Sequence, residues 1–283
     1  MRVEIEPGVR LFFDVHGCSH VPGDGRLEKR PTLLLLHGGP GSDHSVFKPV
    51  MLPLADEMQI VFYDHRGMGR SDRRSPDEWN LDTWADDVVR LCDALEIVKP
   101  FVLGASFGAM VAMHYLARHP NHAAKTVLMC TSANVVVEEQ LNVLDRRGFA
   151  TDVRSAAEAF WRSPTKENGA TFLPLSGPLY TTSGRASQNR AVQNFEVMFH
   201  FLAGEMQTMN LLPGLQGLTP PVLVMGGNND PVSPAVGMRE IAAAIGRSAT
   251  LSIIDDASHV IWADQPDVID EITRWLVPPG PAA

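Results

Sequence analysis

The sequence predicts an α/β protein with a mostly parallel sheet, and three observations lead to this fold class. Unbroken apolar runs at residues 32–36, 59–63 and 101–103 are typical of strands that are buried on both faces. Helical patterns separate these runs, the strongest at residues 81–95, and strands that alternate with helices favour a doubly wound sheet. The chain has 283 residues and 45% apolar content, enough for one large α/β domain or two small ones.

The remaining elements follow from local patterns along the chain. Alternating polarity around Pro7-Gly8 predicts an opening hairpin, and a stretch rich in Gly, Pro and charge at residues 19–31 predicts a loop. Besides the three apolar runs, strands are predicted at residues 2–5, 9–15, 126–130, 222–225 and 250–254. Helices are predicted at residues 46–58, 81–95, 110–117, 137–144, 153–161, 191–209, 236–245 and 268–276.

The alternation of strands and helices stops between about residues 134 and 218, where the patterns are helical. We therefore interpret residues 134–218 as an inserted helical cap. Residues 1–133 and 219–283 form the predicted α/β core. The final residues, 278–283, are predicted to be a frayed tail.

Composition and charge exclude several classes of partner. A formal net charge of −9 argues against a nucleic-acid partner, because such proteins usually present a basic face to the phosphates. The three cysteines, Cys18, Cys92 and Cys130, have the spacing of neither a disulfide framework nor a zinc site. No HExxH motif occurs, so we expect no metal and no cofactor.

The sequence also predicts a cytoplasmic protein without a membrane partner. Its first residues lack the apolar core of a signal peptide, and its apolar runs are far shorter than the roughly 20 residues that span a bilayer. The scattered cysteines fit a reducing compartment. Nothing in the sequence indicates the oligomeric state.

One serine stands between two glycines where a predicted strand meets a predicted helix. The segment reads Gly104-Ala-Ser-Phe-Gly108, which is a Gly-x-Ser-x-Gly pattern. In a nucleophile elbow the turn is so tight that small residues are needed two positions before and after the serine. The turn places Ser106 at the start of a helix, where backbone N–H groups favour developing negative charge. The pattern alone also fits an ordinary Gly-rich turn. Whether Ser106 is a nucleophile therefore depends on finding a base and an acid elsewhere in the sequence.

A serine nucleophile needs a base, and the base needs an acid that fixes its tautomer. In elbow-type hydrolases the chain order is Ser, then Asp or Glu, then His. Asp230 and His259 follow the carboxyl ends of two later predicted strands, the edge where an open α/β sheet binds ligands. We therefore predict a catalytic triad of Ser106, Asp230 and His259. Asp255 or Asp256 could be the acid instead, but their closeness to His259 in the chain favours a role in shaping its loop.

An oxyanion hole would need two backbone donors aimed at the tetrahedral intermediate, each worth about 3 kcal/mol. The first predicted donor is the N–H of Phe107, directly after the serine. The second is the N–H of Gly39, in the loop His37-Gly-Gly-Pro-Gly41 that follows the strand at residues 32–36. A phosphate-binding loop is the alternative, but the Lys and Ser/Thr of that motif are missing.

Five segments together resemble the α/β-hydrolase superfamily in order and spacing, over nearly the whole chain outside the cap. They are residues 37–41, 64–72, 104–108, 227–231 and Ser258-His259. The HGGPG loop is most similar to that of the proline iminopeptidases (peptidase family S33), serine aminopeptidases that remove an N-terminal residue, often proline, from short peptides. The resemblance implies an α/β-hydrolase fold with an eight-stranded sheet and a helical lid after the sixth strand.

The sequence departs from the iminopeptidase pattern at two positions. His65 stands where that family usually has Gln, and Phe107 stands where it usually has Trp or Tyr. The resemblance also implies that acidic lid residues bind the substrate's ammonium group, and two glutamates at residues 191–209 are candidates. The same two glutamates also fit solvated charges on an amphipathic helix. The substrate-binding candidates are Gly38, Glu196, Phe199 and Glu205.

These observations predict a cofactor-free serine hydrolase that acts on a small-molecule or short-peptide substrate. An aminopeptidase would need a free amine on its substrate, whereas a carboxylesterase or lactonase would accept neutral acyl esters. The resemblance of the HGGPG loop favours the aminopeptidase. A non-catalytic small-molecule receptor is a further alternative, and three suitable triad residues argue against it.

Overall fold

The chain folds around an eight-stranded sheet in a computed structural model that describes residues 1–185 and 191–278. Its strands are β1 (Arg2–Glu6), β2 (Val9–His16), β3 (Thr32–Leu36), β4 (Gln59–Tyr63), β5 (Phe101–Ala105), β6 (Lys125–Met129), β7 (Val222–Gly227) and β8 (Ala249–Ile254). Their order across the sheet is β1-β2-β4-β3-β5-β6-β7-β8. Strand β2 is antiparallel to β1 and β4, and the strands from β3 to β8 are parallel. This confirms the mostly parallel eight-stranded sheet.

Helices connect these strands. They are α1 (Lys48–Met51), α2 (Leu81–Ala94), α3 (Phe107–Arg118), α4 (Val137–Arg146), α5 (Thr151–Arg162), α6 (Lys166–Phe172), α7 (Phe195–Ala203), α8 (Ala235–Ile245), α9 (Ile261–Asp264) and α10 (Val268–Leu276). Short 3-10 turns lie at His44–Val46, Leu52–Asp56, Pro76–Glu78, Leu173–Leu175, Gly177–Leu179, Glu205–Gln207, Leu212–Leu215 and Gly246–Ser248.

Both faces of the sheet are buried, which explains the unbroken apolar runs of the sequence. Successive side chains of a strand point to opposite faces. In β3, Leu34 and Leu36 therefore join a core with helices α2, α3 and α8, whereas Leu33 and Leu35 join a second core with α1 and α10. The helices thus flank the sheet on both sides, as the sequence predicts.

A helical segment lies between β6 and β7, and its described residues contain no strand. Helices α4 to α7 belong to it, and several of its side chains pack into a cluster of their own, which includes Leu144, Phe160 and Phe172. The segment follows the sixth strand of the sheet, where the sequence places the cap. The division of the chain at residues 134 and 218 stays a prediction.

Prolines and a glycine interrupt two of the predicted helices. The helix predicted at residues 46–58 is three short pieces, because Pro49 and Pro53, each the second residue of a new piece, cannot continue the preceding helix. The helix predicted at 191–209 is regular in α7, ends at Gly204 and continues as a 3-10 turn. Both predicted helices are longer than the observed ones, because an apolar pattern does not reveal where proline or glycine ends a helix.

Smaller elements were missed. The loop predicted at residues 19–31 contains a two-stranded hairpin of His20–Pro22 and Leu27–Lys29, and helices α6 and α9 were not predicted. Most of the predicted tail, residues 279–283, lies outside the described residues. In the described part of the chain, no helix has the length and apolar character needed to cross a membrane.

Candidate active site

Ser106 occupies a tight turn between β5 and α3. Its φ of 54° and ψ of −120° are unusual for a residue with a side chain, and such strain is typical of functional sites. A Cβ on Gly104 would lie 2.4 Å from the carbonyl oxygen of Gly108, and a Cβ on Gly108 would lie 2.1 Å from that of Leu36. Both positions therefore require glycine, the steric demand that the sequence pattern predicts.

The three side chains of the predicted triad are in hydrogen-bonding contact. Nδ1 of His259 donates to Oδ2 of Asp230 at 2.7 Å, because a carboxylate accepts hydrogen bonds. Nε2 of the neutral ring is then the acceptor for the hydroxyl of Ser106, at a distance of 3.0 Å. Asp230 is fully buried and His259 is 8% exposed, so water competes little with either contact.

The sheet explains why residues so distant in sequence meet. Ser106 follows β5, Asp230 follows β7 and His259 follows β8, and these parallel strands present their carboxyl ends at one edge. A Cβ on Gly227 would lie 2.2 Å from the carbonyl oxygen of Ala257, so this glycine allows the Asp230 and His259 loops to lie against each other.

The carboxylate of Asp230 is held on both oxygens. Oδ1 accepts from the backbone N–H groups of Val232 at 2.7 Å and Ser233 at 3.0 Å, which leaves Oδ2 for His259. The alternative acids take no part in this arrangement. Asp255 is exposed and lies 3.5 Å from the amide of Asn228, and Asp256 is exposed as well.

The two predicted oxyanion donors border the same space as Ser106. Gly39 and Phe107 both line a cavity that Ser106 also lines. Phe107 is the first residue of α3, so its N–H has no partner within the helix. Gly38, predicted to bind substrate, lies next to Ser106. A Cβ on Gly38 would lie 3.5 Å from the Cβ of Ser106.

A buried histidine pair supports the loop that carries Gly39. Nδ1 of His37 donates to the carbonyl oxygen of Gly38 at 2.7 Å, and Nε2 of His37 accepts from the backbone N–H of His65 at 3.2 Å. Both rings are fully buried, and burial lowers the pKa of His37 and takes the pKa of His65 well below its usual value. Because Nε2 of His37 accepts a hydrogen bond, the His37 ring is neutral in this arrangement, and burial favours the neutral form of His65 as well.

The structure does not bring the predicted cap residues to Ser106. Glu196 is exposed in the first turn of α7. Glu205 accepts from the backbone N–H of Leu81 at 2.9 Å, and burial raises its pKa. Phe199 packs within the helical segment against Phe160, with ring centroids 6.4 Å apart. None of the three borders either of the two cavities beside Ser106.

Two residues of the helical segment that sequence reasoning missed contact the site. The ring of Tyr180 lies 5.5 Å from that of His259, and its carbonyl accepts from the N–H of Val260 at 2.8 Å. Arg147 bonds to the loops that carry Asp230 and His259. No motif surrounds either residue, so no sequence signal could have identified them.

Two cavities meet at Ser106. The larger has a volume of about 670 Å³ and is bordered by His259, Trp262 and Arg185. The smaller, of about 130 Å³, lies between Phe107 and the helical segment. The larger volume is in the range of small-molecule sites. No group of three or more metal-binding side chains occurs among residues 1–185 and 191–278.

Comparisons with known proteins show which family the chain belongs to. A proline iminopeptidase of Lacticaseibacillus rhamnosus (strain Lc 705) is 25% identical over 305 residues, covering 97% of this chain and 99% of its own. A putative carbamate hydrolase RutD of Agrobacterium fabrum is 22% identical over 281 residues, covering 95% and 98%. The structure of a thermophilic esterase from Thermogutta terrifontis superposes with a TM-score of 0.66 at 24% identity, covering 98% and 97%. Residues 31–266 match the family described as alpha/beta hydrolase fold, and the chain belongs to this family.

Proposed function

We propose that this chain is a serine hydrolase in which Ser106, His259 and Asp230 form a catalytic triad and the substrate acylates Ser106. The single observation that carries the proposal is the continuous contact from Asp230 through His259 to Ser106, at 2.7 and 3.0 Å. A hydroxyl bonded to a neutral imidazole is ready to lose its proton, and the carboxylate stabilises the imidazolium that forms.

The reaction proceeds in two steps, acylation of Ser106 and hydrolysis of the acyl-enzyme. Nε2 of His259 takes the proton of Ser106 while Oγ bonds to the substrate carbonyl carbon, and the oxygen that becomes negative accepts from the N–H groups of Gly39 and Phe107. The bond to the leaving group then breaks, and that group takes the proton from Nε2. A water molecule repeats the attack on the acyl-enzyme, which releases the acid and restores Ser106.

The cavity linings favour an ester or lactone over a peptide with a free amine. None of the described residues that border the two cavities is Asp or Glu. Residues 186–190, next to the lining residue Arg185, contain no acidic residue in the sequence either. An aminopeptidase needs an anionic group to hold the ammonium of its substrate, and the exposed Glu196 and hydrogen-bonded Glu205 do not border these cavities.

A proline iminopeptidase-like aminopeptidase is the second candidate. The HGGPG loop at residues 37–41 and the Lacticaseibacillus rhamnosus relative favour it. The two candidates predict opposite responses to substrate blocking. Acetylation of the substrate amine abolishes turnover by an aminopeptidase, whereas an esterase hydrolyses aryl esters that have no amine.

The test pairs substrate assays with Ser106→Ala. We expect turnover of short acyl aryl esters, and a loss of at least about 1,000-fold in kcat in the variant. A serine-directed phosphonate should label the wild-type protein and not the variant. Ser132→Ala is the matched control, because Ser132 is also buried and its hydroxyl has no partner among the described residues. Unlabelled wild-type protein without turnover, as for a receptor, would contradict the proposal.

A further inference from the structure

The two cavities beside Ser106 differ in which part of the proposed machinery they contain. Ser106, Gly39, Tyr180 and Val232 border both. His259 borders the larger cavity and is absent from the lining of the smaller one. Phe107 lines the smaller cavity and is absent from the lining of the larger one. The nucleophile therefore stands at a junction, with its base on one side.

This asymmetry assigns each cavity to one half of the substrate. In the tetrahedral intermediate the carbonyl carbon carries Oγ of Ser106, the oxyanion, the acyl chain and the leaving oxygen. The leaving oxygen must lie beside Nε2 of His259, because it takes the proton from that atom. The alcohol part of the substrate therefore occupies the cavity of about 670 Å³, and the acyl chain occupies the cavity of about 130 Å³.

The smaller cavity is suited to a short apolar acyl chain. Its walls are mostly apolar, and the polar side chains among them include those of Gln140, Gln207 and the serines Ser106 and Ser233. Its aromatic rings and thioethers include Met110, Phe160, Trp161, Met198, Phe201 and Met206. The amide of Gln140, a polar lining group, already donates to the carbonyl oxygen of Val232 at 2.8 Å. Apolar walls favour apolar groups through the hydrophobic effect, and thioethers adapt to the shape of the chain.

Among the described residues that line the larger cavity, one is Arg or Lys. Arg185 is exposed and borders this cavity, and its guanidinium donates to the carbonyl oxygen of Ala263 at 3.4 Å. No described carboxylate lies within salt-bridge distance of it, and Asp and Glu are absent from the described lining residues. A guanidinium presents a fork of N–H donors that fits a carboxylate.

We propose that the preferred substrates are esters of a short apolar acid with an alcohol that carries a carboxylate. The acyl chain binds under the cap between Phe107 and Met206, and the carboxylate of the alcohol binds Arg185. This inference rests on the proposed serine hydrolase function and adds the substrate class to it.

The first test changes the charge of the leaving group. Two aryl butanoates are compared, para-nitrophenyl butanoate and the same ester with a carboxylate ortho to the nitro group. Ratios of kcat/KM between the two esters are compared across variants, so the different leaving-group acidities cancel. In Arg185→Gln we expect the ratio of charged to neutral ester to fall about tenfold, mainly through KM, as loss of a charge-assisted hydrogen bond predicts.

Two variants make this test specific. Arg185→Lys keeps the charge and should retain part of the preference. Arg239→Gln removes an exposed arginine on α8, away from both cavities, and should leave the ratio unchanged. An Arg185→Gln ratio equal to that of the wild-type protein would overturn the assignment of the larger cavity.

The second test changes the length of the acyl chain, from acetyl to octanoyl, on one para-nitrophenyl leaving group. Met206→Ala enlarges the smaller cavity and should move the optimum of kcat/KM to a longer chain, and Met206→Phe should move it to a shorter one. Met209→Ala is the control, because Met209 is half-buried on the same segment and borders neither cavity. An optimum that stays the same in both Met206 variants would overturn the acyl assignment.

The outcomes separate this inference from the proposed function. Hydrolysis that depends on Ser106 but responds to neither Arg185 nor Met206 substitutions would refute the substrate class and leave the serine hydrolase intact. Absence of hydrolysis with every ester, together with no phosphonate labelling, would refute both.

Discussion

Nη1 of Arg147 donates to the hydroxyl oxygen of Ser258 at 3.0 Å, and the same nitrogen donates to the carbonyl oxygen of Asn229 at 3.1 Å. Ser258 directly precedes His259, and Asn229 directly precedes Asp230. The guanidinium also donates to three carbonyl oxygens of the helical segment, those of Pro178, Leu179 and Thr181. One cation therefore connects this segment to the residues beside both the proposed acid and the proposed base.

We expect Arg147→Met to lower kcat about tenfold or more, with a smaller change in KM. Methionine preserves much of the side-chain length but loses every donor, so the Asp230 and His259 loops lose a shared support, and small displacements of catalytic groups are costly. Steady-state kinetics on an aryl ester measure the effect. Arg146→Met is the control, because that exposed neighbour donates to the carbonyl of Asn228 alone among the described residues. Equal losses in both variants would contradict a special role of Arg147.

The elbow glycine Gly108 predicts a stability effect. In Gly108→Ala the new Cβ would lie 2.1 Å from the carbonyl oxygen of Leu36 and 2.6 Å from that of His37, so backbone must move. We expect a loss of about 1–3 kcal/mol in the free energy of unfolding and a large loss of activity. Urea denaturation and ester assays measure both. In Gly23→Ala the new Cβ meets the flexible side chain of Glu28, so this control should unfold like the wild-type protein.

Strand ends made much of the candidate site predictable from the sequence. Buried parallel strands are continuous apolar runs, and their carboxyl ends lie at one edge of the sheet. The sequence alone therefore predicts that Ser106, Asp230 and His259 lie close together. The glycines around Ser106 added a steric requirement that few residues meet. These inferences depend on local sequence and on the topology of one sheet.

Contacts between the helical segment and the rest of the chain could not be predicted from the sequence. Arg147 bonds mainly to backbone carbonyls and Glu205 to the backbone N–H of Leu81, and such partners exist at nearly every residue. No complementary side-chain pattern therefore marks them. The family resemblance selected Glu205 for its charge, but its position is decided by the packing of one segment on another, which a motif does not contain.

The buried histidines predict a pH dependence of stability. Burial lowers the pKa of His37 and of His65 in the folded protein, whereas both titrate near pH 6.5 when unfolded. The unfolded state therefore binds more protons below pH 6.5, and stability falls as the pH decreases through that value. At pH values between the lowered pKa of the folded state and pH 6.5, each histidine contributes a slope of up to about 1.4 kcal/mol per pH unit.

His65→Gln isolates one of these contributions. We expect the difference in the free energy of unfolding between pH 7.5 and 5.0 to be smaller in this variant, since glutamine does not titrate. Urea denaturation at several pH values measures it, and His20→Gln, at an exposed position, is the control. A variant with the same pH dependence as the wild-type protein would show that His65 takes up protons equally in the folded and unfolded states, which contradicts the prediction.

The ion pair of Arg66 and Asp87 predicts the largest loss of stability. The guanidinium donates to both oxygens of Asp87, at 2.9 and 2.6 Å, and the two residues are 2% and 1% exposed. Arg66→Leu would leave Asp87 buried with Arg90 as its remaining cation, so we expect a loss of about 3–5 kcal/mol in the free energy of unfolding at pH 7.

The pH dependence of that loss identifies its cause. Burial already raises the pKa of Asp87, and removal of the Arg66 charge should raise it further. A carboxyl whose pKa is higher in the folded state than in the unfolded state stabilises the fold as the pH decreases, so the penalty of Arg66→Leu should shrink between pH 7 and pH 5. Replacing both partners, in Arg66→Leu with Asp87→Leu, should recover much of the stability, because the fully buried carboxylate is then gone as well. Glu6 and Glu78, the half-buried partners of Arg66, keep ion pairs with Arg90 and Arg74. A penalty that is independent of pH and persists in the double variant would instead assign the effect to lost packing around Arg66.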